Sequence, residues 1–329
     1  MKKMMNTIIF VLCLVISGAN SALHGVQILP EEDLELERQL KIINKPPIKV
    51  IHTEYGYIVD CIDIKKQPAF DHPLLKNHTL QRKPSFLVPT EERHDSPIFG
   101  LDKEECPMGT VPIRRTTKED LIREKSLNYS IKIEGLPGVH VAELSLSSQF
   151  SPYYGVHGWN SVYNPKVAWN QDSFSHIWVQ NGYGSASNLI SLGWHVTPHF
   201  YGDYATHLYA AWTVEVRGTD IGYFPAALFS NLSSADIVGW GGRTFSPPGS
   251  PSPPMGSGYF PDRNFLHASF FKMISYQNES TISHGPEKYQ LQYFIDKPSC
   301  FDLSYYGNLG GYDGYSLQFG GPGGGQCGV

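Results

Sequence analysis

The most informative features of this 329-residue sequence are things it has little of. Beyond the first two dozen residues no apolar run approaches the roughly 20 residues needed to cross a bilayer, so no membrane anchor is expected. Charged residues make up only 17 % of the chain. Its lysines and arginines are scattered rather than gathered on a patch, which excludes nucleic acid as an expected partner. No pair of cysteines has C-x-x-C spacing, which excludes a zinc knuckle or a dithiol redox motif. The G-x-S-x-G elbow of serine hydrolases is absent. The glycine-rich stretch Gly320–Gly328 lacks the Lys-Ser/Thr of a phosphate loop. No internal repeat is visible, and nothing points to a metal or cofactor.

What is present begins with the first 22 residues. Lys2 and Lys3 precede an apolar core from Ile8 to Ile16, and the small residues Gly18, Ala19, Ser21 and Ala22 follow. That pattern predicts a signal peptide cleaved near Ser21 or Ala22. Cleavage takes the formal net charge from −5 to −7 and removes Cys13. Cys61, Cys106, Cys300 and Cys327 are left, an even set suited to disulfides in an oxidising compartment. Of the three pairings, Cys61–Cys106 and Cys300–Cys327 are favoured, each within its own half of the chain. Four N-x-S/T sequons, at Asn77, Asn128, Asn231 and Asn278, become expected surface glycan sites behind a signal peptide. A secreted, extracellular protein is expected, in the cell wall or the vacuole.

Two textures follow. From 23 to 136 the chain is charged and mixed. Pro30 with Glu31, Glu32 and Asp33 predicts a helix start, with Leu34, Leu36, Leu40, Ile42 and Ile43 as its apolar stripe and Pro46–Pro47 as its stop. Ile48–His52 and Tyr57–Asp63 predict a hairpin turning at Glu54–Gly56. Gln81–Gly100 is a polar, proline-bearing linker, and Thr116-x-x-Glu119 predicts a capping box for a short helix. From 137 to 329 alternating runs take over at Val139–Leu146, Ser175–Val179, Leu189–Val196, His207–Val214, Ala268–Ile274 and Tyr289–Ile295. Turn clusters rich in Gly, Pro, Asn and Ser separate them. With 19 tyrosines and 32 glycines, the expected fold is mainly β, an antiparallel sandwich behind a small α+β propeptide domain. Ser246–Gly258 is expected to be an exposed loop.

Few residues carry obvious chemistry. His195 and His199 have i, i+4 spacing, but Pro198 and the alternation around Trp194 predict a strand. There the two lie roughly 13 Å apart along the chain, so structural histidines are favoured over a zinc pair. Ser257, between glycines in Met255-Gly-Ser-Gly258, has no strand–turn–helix context and is expected in a turn. Two-carboxylate chemistry needs one acid to hold a proton while the other accepts one. Asp203, Glu215, Asp220, Asp236 and Asp262 are the candidates, and no spacing pairs any two of them.

The residues do carry a resemblance. The stretch Asp60 to His78, with Cys106-Pro-Met-Gly-Thr-Val-Pro-Ile-Arg-Arg115, resembles the activation peptide of the plant neprosin family. Gly193-Trp-His-Val-Thr-Pro198, Tyr201-Gly-Asp203, Gly222-Tyr-Phe-Pro225, Trp240-Gly-Gly242, Met255-Gly-Ser-Gly258 and the glycines around Pro322 resemble the neprosin domain, in the family's order. The resemblance implies a secreted preproprotein with an inhibitory or folding propeptide. It also implies a β-sandwich that, in active members, is a glutamic endopeptidase cutting after proline. There two glutamates work across a cleft, and acid favours both propeptide release and turnover.

Carried over residue by residue, that chemistry fails. The family glutamate two residues before Gly-Trp is Ser191 here, and the one after Trp-Gly-Gly is Arg243. A serine hydroxyl does not deliver an acidic proton as a carboxyl does, and arginine stays protonated. No catalytic residue is therefore assigned. His207 stands where the family has arginine, and a long strand-bearing segment is missing between Val214 and Ile221. Three functions compete. One is a catalytically deficient protein that binds an extracellular peptide, a polysaccharide or a related peptidase. The second is an acid peptidase using other carboxylates, such as Asp203 and Glu215. The third is a non-functional gene product.

Overall fold

The computed structural model describes residues 30–54, 56–75, 77–79, 104–126, 137–182, 187–213, 232–280 and 282–327. The expected signal peptide, Asn128, Asn231, Glu215, Asp220, the whole 81–100 linker and the segment at 214–221 lie outside these residues. No helix among those described is long and apolar enough to cross a membrane.

The described residues fall into two units, one up to residue 44 and the other from residue 45 onward. In the first, Pro30–Ile43 is helix α1. Glu31, Glu32 and Asp33 occupy its first turn and Lys41 its last, the distribution that the helix dipole favours. The helix ends as the prolines at 46 and 47 predict.

The second unit opens with a three-stranded antiparallel sheet of β1 (Lys49–His52), β2 (Ile58–Asp63) and β3 (Thr110–Arg114), with β2 central. The β1–β2 hairpin turns through Gly56, whose φ of +82° suits glycine. Ile51, Val59 and Cys61 form its small core. The Cys61–Cys106 disulfide, Cα atoms 5.4 Å apart, ties β2 to the segment entering β3. Buried Asp60 receives both arms of the Arg115 guanidinium at 2.6 and 2.8 Å. Helix α2 (Lys118–Ser126) follows. Its cap lies one residue beyond the predicted place. Thr117 and Asp120 exchange the reciprocal bonds, Asp120 N to Thr117 Oγ1 at 3.2 Å and Thr117 N to Asp120 Oδ2 at 2.8 Å. The shorter aspartate closes the box from the third helical position, and it also accepts from Arg114.

Two antiparallel sheets make the sandwich. One is six-stranded, in the order β12–β4–β9–β6–β7–β8. Its strands are β4 (Val139–Leu146), β6 (Asp172–Asn181), β7 (Asn188–Val196), β8 (His207–Thr213), β9 (Ile237–Phe245) and β12 (Leu291–Ile295). The other comprises β5 (Gly155–Asn160), β10 (Ser269–Gln277), β11 (Ser283–His284), β13 (Asp302–Asn308) and β14 (Tyr315–Gly320), with β14 between β10 and β13. A helical turn, α3 (Pro198–Tyr201), links β7 to β8.

The core lies between the sheets and includes Leu144, Leu146, Val238, Trp240, Phe271, Phe301, Leu317 and Phe319. Trp240 donates its indole N–H across the layers to His157 O at 2.9 Å, which satisfies the one polar atom of a fully buried ring. The Cys300–Cys327 disulfide joins this core, so both bridges pair as favoured.

Two expectations are corrected. Ser246–Gly258 is not an exposed loop. Ser252, Pro253, Met255 and Gly256 are buried, because the loop bridges to the chain end at Ser252–Gly324 and Met255–Gly321. His199 is not on a strand, because Pro198 starts the α3 turn.

Candidate functional site

Side chains alternate along a strand, so if Ala142 and Leu144 of β4 enter the core, Glu143 must point to the opposite face of the sheet. There the strand registers place Glu143 (β4), Gly241 (β9), His176 (β6), Gly193 (β7) and Tyr209 (β8) in one transverse row. The second and fourth members have no room for a side chain. A Cβ on Gly241 would lie 2.3 Å from Ala142 O, and one on Gly193 would lie 1.9 Å from Ser175 O. The glycine gap lets Glu143 and His176 meet over β9.

The result is a buried polar cluster. His176 Nε2 is 2.9 Å from Glu143 Oε1, and Arg243 Nη2 donates to the same oxygen at 2.8 Å. The other ring nitrogen of His176, Nδ1, is 3.0 Å from Ser191 Oγ. Ser191 Oγ is 2.9 Å from the Tyr209 hydroxyl. Glu143, His176, Ser191 and Tyr209 are 4, 5, 8 and 9 % exposed. Burial alone pushes the Glu143 carboxyl up, but the Arg243 charge and the His176 bond outweigh it and hold the group at about 2. Burial pushes His176 below 6.5, against the opposing pull of Glu143. The carboxylate is therefore ionised across mild acid and neutral pH, and the imidazole holds a proton less readily than a free histidine.

A second chain of contacts runs from this cluster to the three-stranded sheet. Tyr209 stacks on His195 with ring centroids 4.4 Å apart, and His195 Nε2 is 2.7 Å from the Tyr201 hydroxyl. Tyr201 stacks on His207 at 3.7 Å, and His207 Nε2 is 2.8 Å from Asp203 Oδ1. The other oxygen of Asp203 accepts from the Tyr57 hydroxyl, at the foot of β2. Arg123 of α2 donates to Phe200 O at 3.3 Å. Burial pushes His195 down to about 3, helped by the charges of His207 and His199. It raises the Tyr57 phenol to about 12, together with the bond to Asp203. Asp203 is below its ordinary 3.8, because bonds from Tyr57 and His207 overcome its partial burial.

Of the residues singled out from sequence, Ser191 and Arg243 fall in one cluster. Asp203 belongs to the relay beside it and contacts Tyr57, His207 and Ala205 N. His199 pairs with buried Asp172 at 3.3 Å. Asp236 caps Gly182 N at 2.9 Å. Asp262 is half exposed against His267 at 2.9 Å. Ser257 lies in a turn closed by Gly258 N to Met255 O. Asn77 is exposed, and half-buried Asn278 shares a 3.0 Å bond with His284. Glu143, His176 and Tyr209 were not singled out. A glutamate inside the apolar alternation of β4 was the signal available for the first, and register alone brings the others to it.

Residues 50–139 match the neprosin activation peptide. The neprosin domain is matched in two stretches, residues 169–220 and 211–322. Between them these matches cover most of the sequence, including Tyr57, His176, Ser191, Tyr209 and Arg243, while Glu143 falls between the two. This chain belongs to the neprosin family.

Proposed function

We propose that this chain is a secreted, glycosylated plant neprosin-family protein that has lost the family's two-glutamate chemistry. In its place the sandwich face binds an extracellular peptide, a polysaccharide or a related peptidase. The observation that carries this reading is the state of Glu143, the one carboxylate among the described residues of the cluster formed around Ser191 and Arg243. A glutamic peptidase needs a carboxyl that holds a proton at working pH, beside another that does not. Glu143 accepts from Arg243 and His176 and is held at about 2, so it has no proton to deliver in mild acid. Arg243 and Ser191 supply no second carboxyl.

The disulfides and the absence of a membrane-spanning helix among the described residues support secretion. The test is incubation of the secreted protein with a quenched proline-containing peptide at acid pH, beside an active family member. No cleavage by folded protein is expected. Cleavage that survives Ser191→Ala would mean that other carboxylates, Asp203 or Glu215 among them, have rebuilt the dyad.

A further inference from the structure

The same cluster is wired for a different chemistry. Ser191 Oγ, His176 and Glu143 form one unbroken line, 3.0 Å from Oγ to Nδ1 and 2.9 Å from Nε2 to Oε1. An ionised carboxylate only accepts, so His176 must carry its hydrogen on Nε2. That fixes the tautomer and leaves Nδ1 as a bare acceptor facing the serine hydroxyl. A neutral imidazole with one nitrogen on a carboxylate and the other on a hydroxyl is the arrangement that activates a serine.

We propose that Ser191 is a nucleophile, with His176 as its general base and Glu143 as the positioning residue, so that this face is a serine-type acyl-transfer site for ester or amide carbonyls. The inference rests on the preceding reading, that the two-glutamate chemistry is gone. In the first step the Ser191 Oγ–carbonyl carbon bond forms and the hydroxyl proton passes to His176 Nδ1. His176 then protonates the leaving alkoxide or amine as its bond to the carbonyl carbon breaks. Water, deprotonated by the same nitrogen, hydrolyses the acyl-serine and restores the hydroxyl. Arg243 shares Glu143 Oε1 and offsets part of the field that would stabilise the imidazolium, so acylation is slow. Its Nε–H is buried without an acceptor among the described residues and is the unspent donor of the cluster. Ser191 is only 8 % exposed, so substrate needs this face to open, and Tyr57, whose hydroxyl holds Asp203 at the far end of the contact chain, is the position at which to loosen it.

The test uses the full secreted chain, as wild type and as Tyr57→Ala, with diisopropyl fluorophosphate at pH 7.5. Ser191 Oγ bonds phosphorus as fluoride leaves, and mass spectrometry of the Ser191 peptide reads the adduct. Labelling of Ser191 is expected, faster in Tyr57→Ala. It is absent from Ser191→Ala and slowed about 10²–10⁴-fold in His176→Gln, the usual range for loss of general-base catalysis. Ser191→Ala should still fold, because His176 Nδ1 and the Tyr209 hydroxyl are already 3.3 Å apart and can bond to each other. In wild type the pH–rate midpoint lies below 6.5. Glu143→Gln moves it lower, a displacement that loss of a purely structural contact would not produce. An unmodified Ser191 in both wild type and Tyr57→Ala, each folded by circular dichroism, would overturn the proposal. Acid cleavage of the proline peptide that is indifferent to the reagent and to Ser191→Ala would instead overturn the reading beneath it.

Discussion

Arg243 Nη2 lies 2.8 Å from Glu143 Oε1, across the pair of strands β4 and β9, and both side chains are almost wholly out of water. Neither charge is tolerable alone in that setting. Removing one member of a buried pair leaves the other uncompensated, at a cost of about 3–5 kcal/mol. Arg243→Ala is therefore expected to destabilise the protein by that amount. Restoring the family residue with Arg243→Glu should do worse, since it sets two carboxylates together. Denaturant midpoints of the two variants check the order.

Acid acts on this fold through His195 before it reaches Glu143. His195 titrates near 6.5 when unfolded and about 3 when folded. A lowered histidine contributes stability above 6.5, and the contribution is lost as pH falls toward 3. The loss is on the order of 3 kcal/mol by pH 4. Glu143, lowered from 4.5 to about 2, keeps its contribution above 4.5 and loses it only between 4.5 and 2. Melting temperature should thus fall first below pH 6.5 and again below 4.5. His195→Gln should shrink the first fall, to which His176 and His199 also contribute, and leave the second.

Tyr57→Phe tests the anchor of the three-stranded sheet. It removes the donor to Asp203 and should loosen the sheet by about 1–2 kcal/mol. Faster hydrogen exchange in β1–β3, with the sandwich core unchanged, is the expected result. Uniform exchange across both regions would show that Tyr57 anchors nothing separately.

The glycine gap makes the sharpest structural prediction. At Gly193 an added methyl would sit 1.9 Å from a backbone oxygen of β6, which cannot retreat without breaking the ladder. Gly193→Ala should cost about 1–3 kcal/mol by overpacking and should disturb the His176–Ser191 contact beside it. Gly56→Ala meets no neighbouring atom, so its cost is confined to the strained φ. Urea melts of the pair separate crowding from backbone strain.

Much of the fold was legible from periodicity. The strand Val139–Leu146 falls where alternation places it, and the hairpin of β1 and β2 turns at the glycine that the sequence marks. Strand β9 was not legible as one, because Gly239, Gly241 and Gly242 weaken any local preference for extended structure. Their reason is tertiary. The Trp178 ring lies over Gly239, the Glu143 carboxylate arm over Gly241, and Phe319 with Met255 against Gly242. The site was half legible. Ser191 and Arg243 are visible as replacements at motif positions, but Glu143 and His176 are joined by a register that no local pattern encodes. The exposed-loop expectation for Ser246–Gly258 failed for a related reason. Proline and glycine mark a turn, and they do not say what that turn packs against.

Strand β14 sits inside its sheet, between β10 and β13, and Cys300 waits for Cys327. The second sheet of the sandwich therefore cannot be completed before residue 320 has been made, nor its bridge before residue 327. The β1–β3 sheet is complete at Arg114 and carries its own disulfide. At synthesis rates of about 5–20 residues per second, it emerges on the order of tens of seconds before the last strand does. The segment that bears Tyr57 is thus a finished object while its partner is still a nascent chain. Tyr57 is therefore in place before Asp203, the residue it bonds to, has been made.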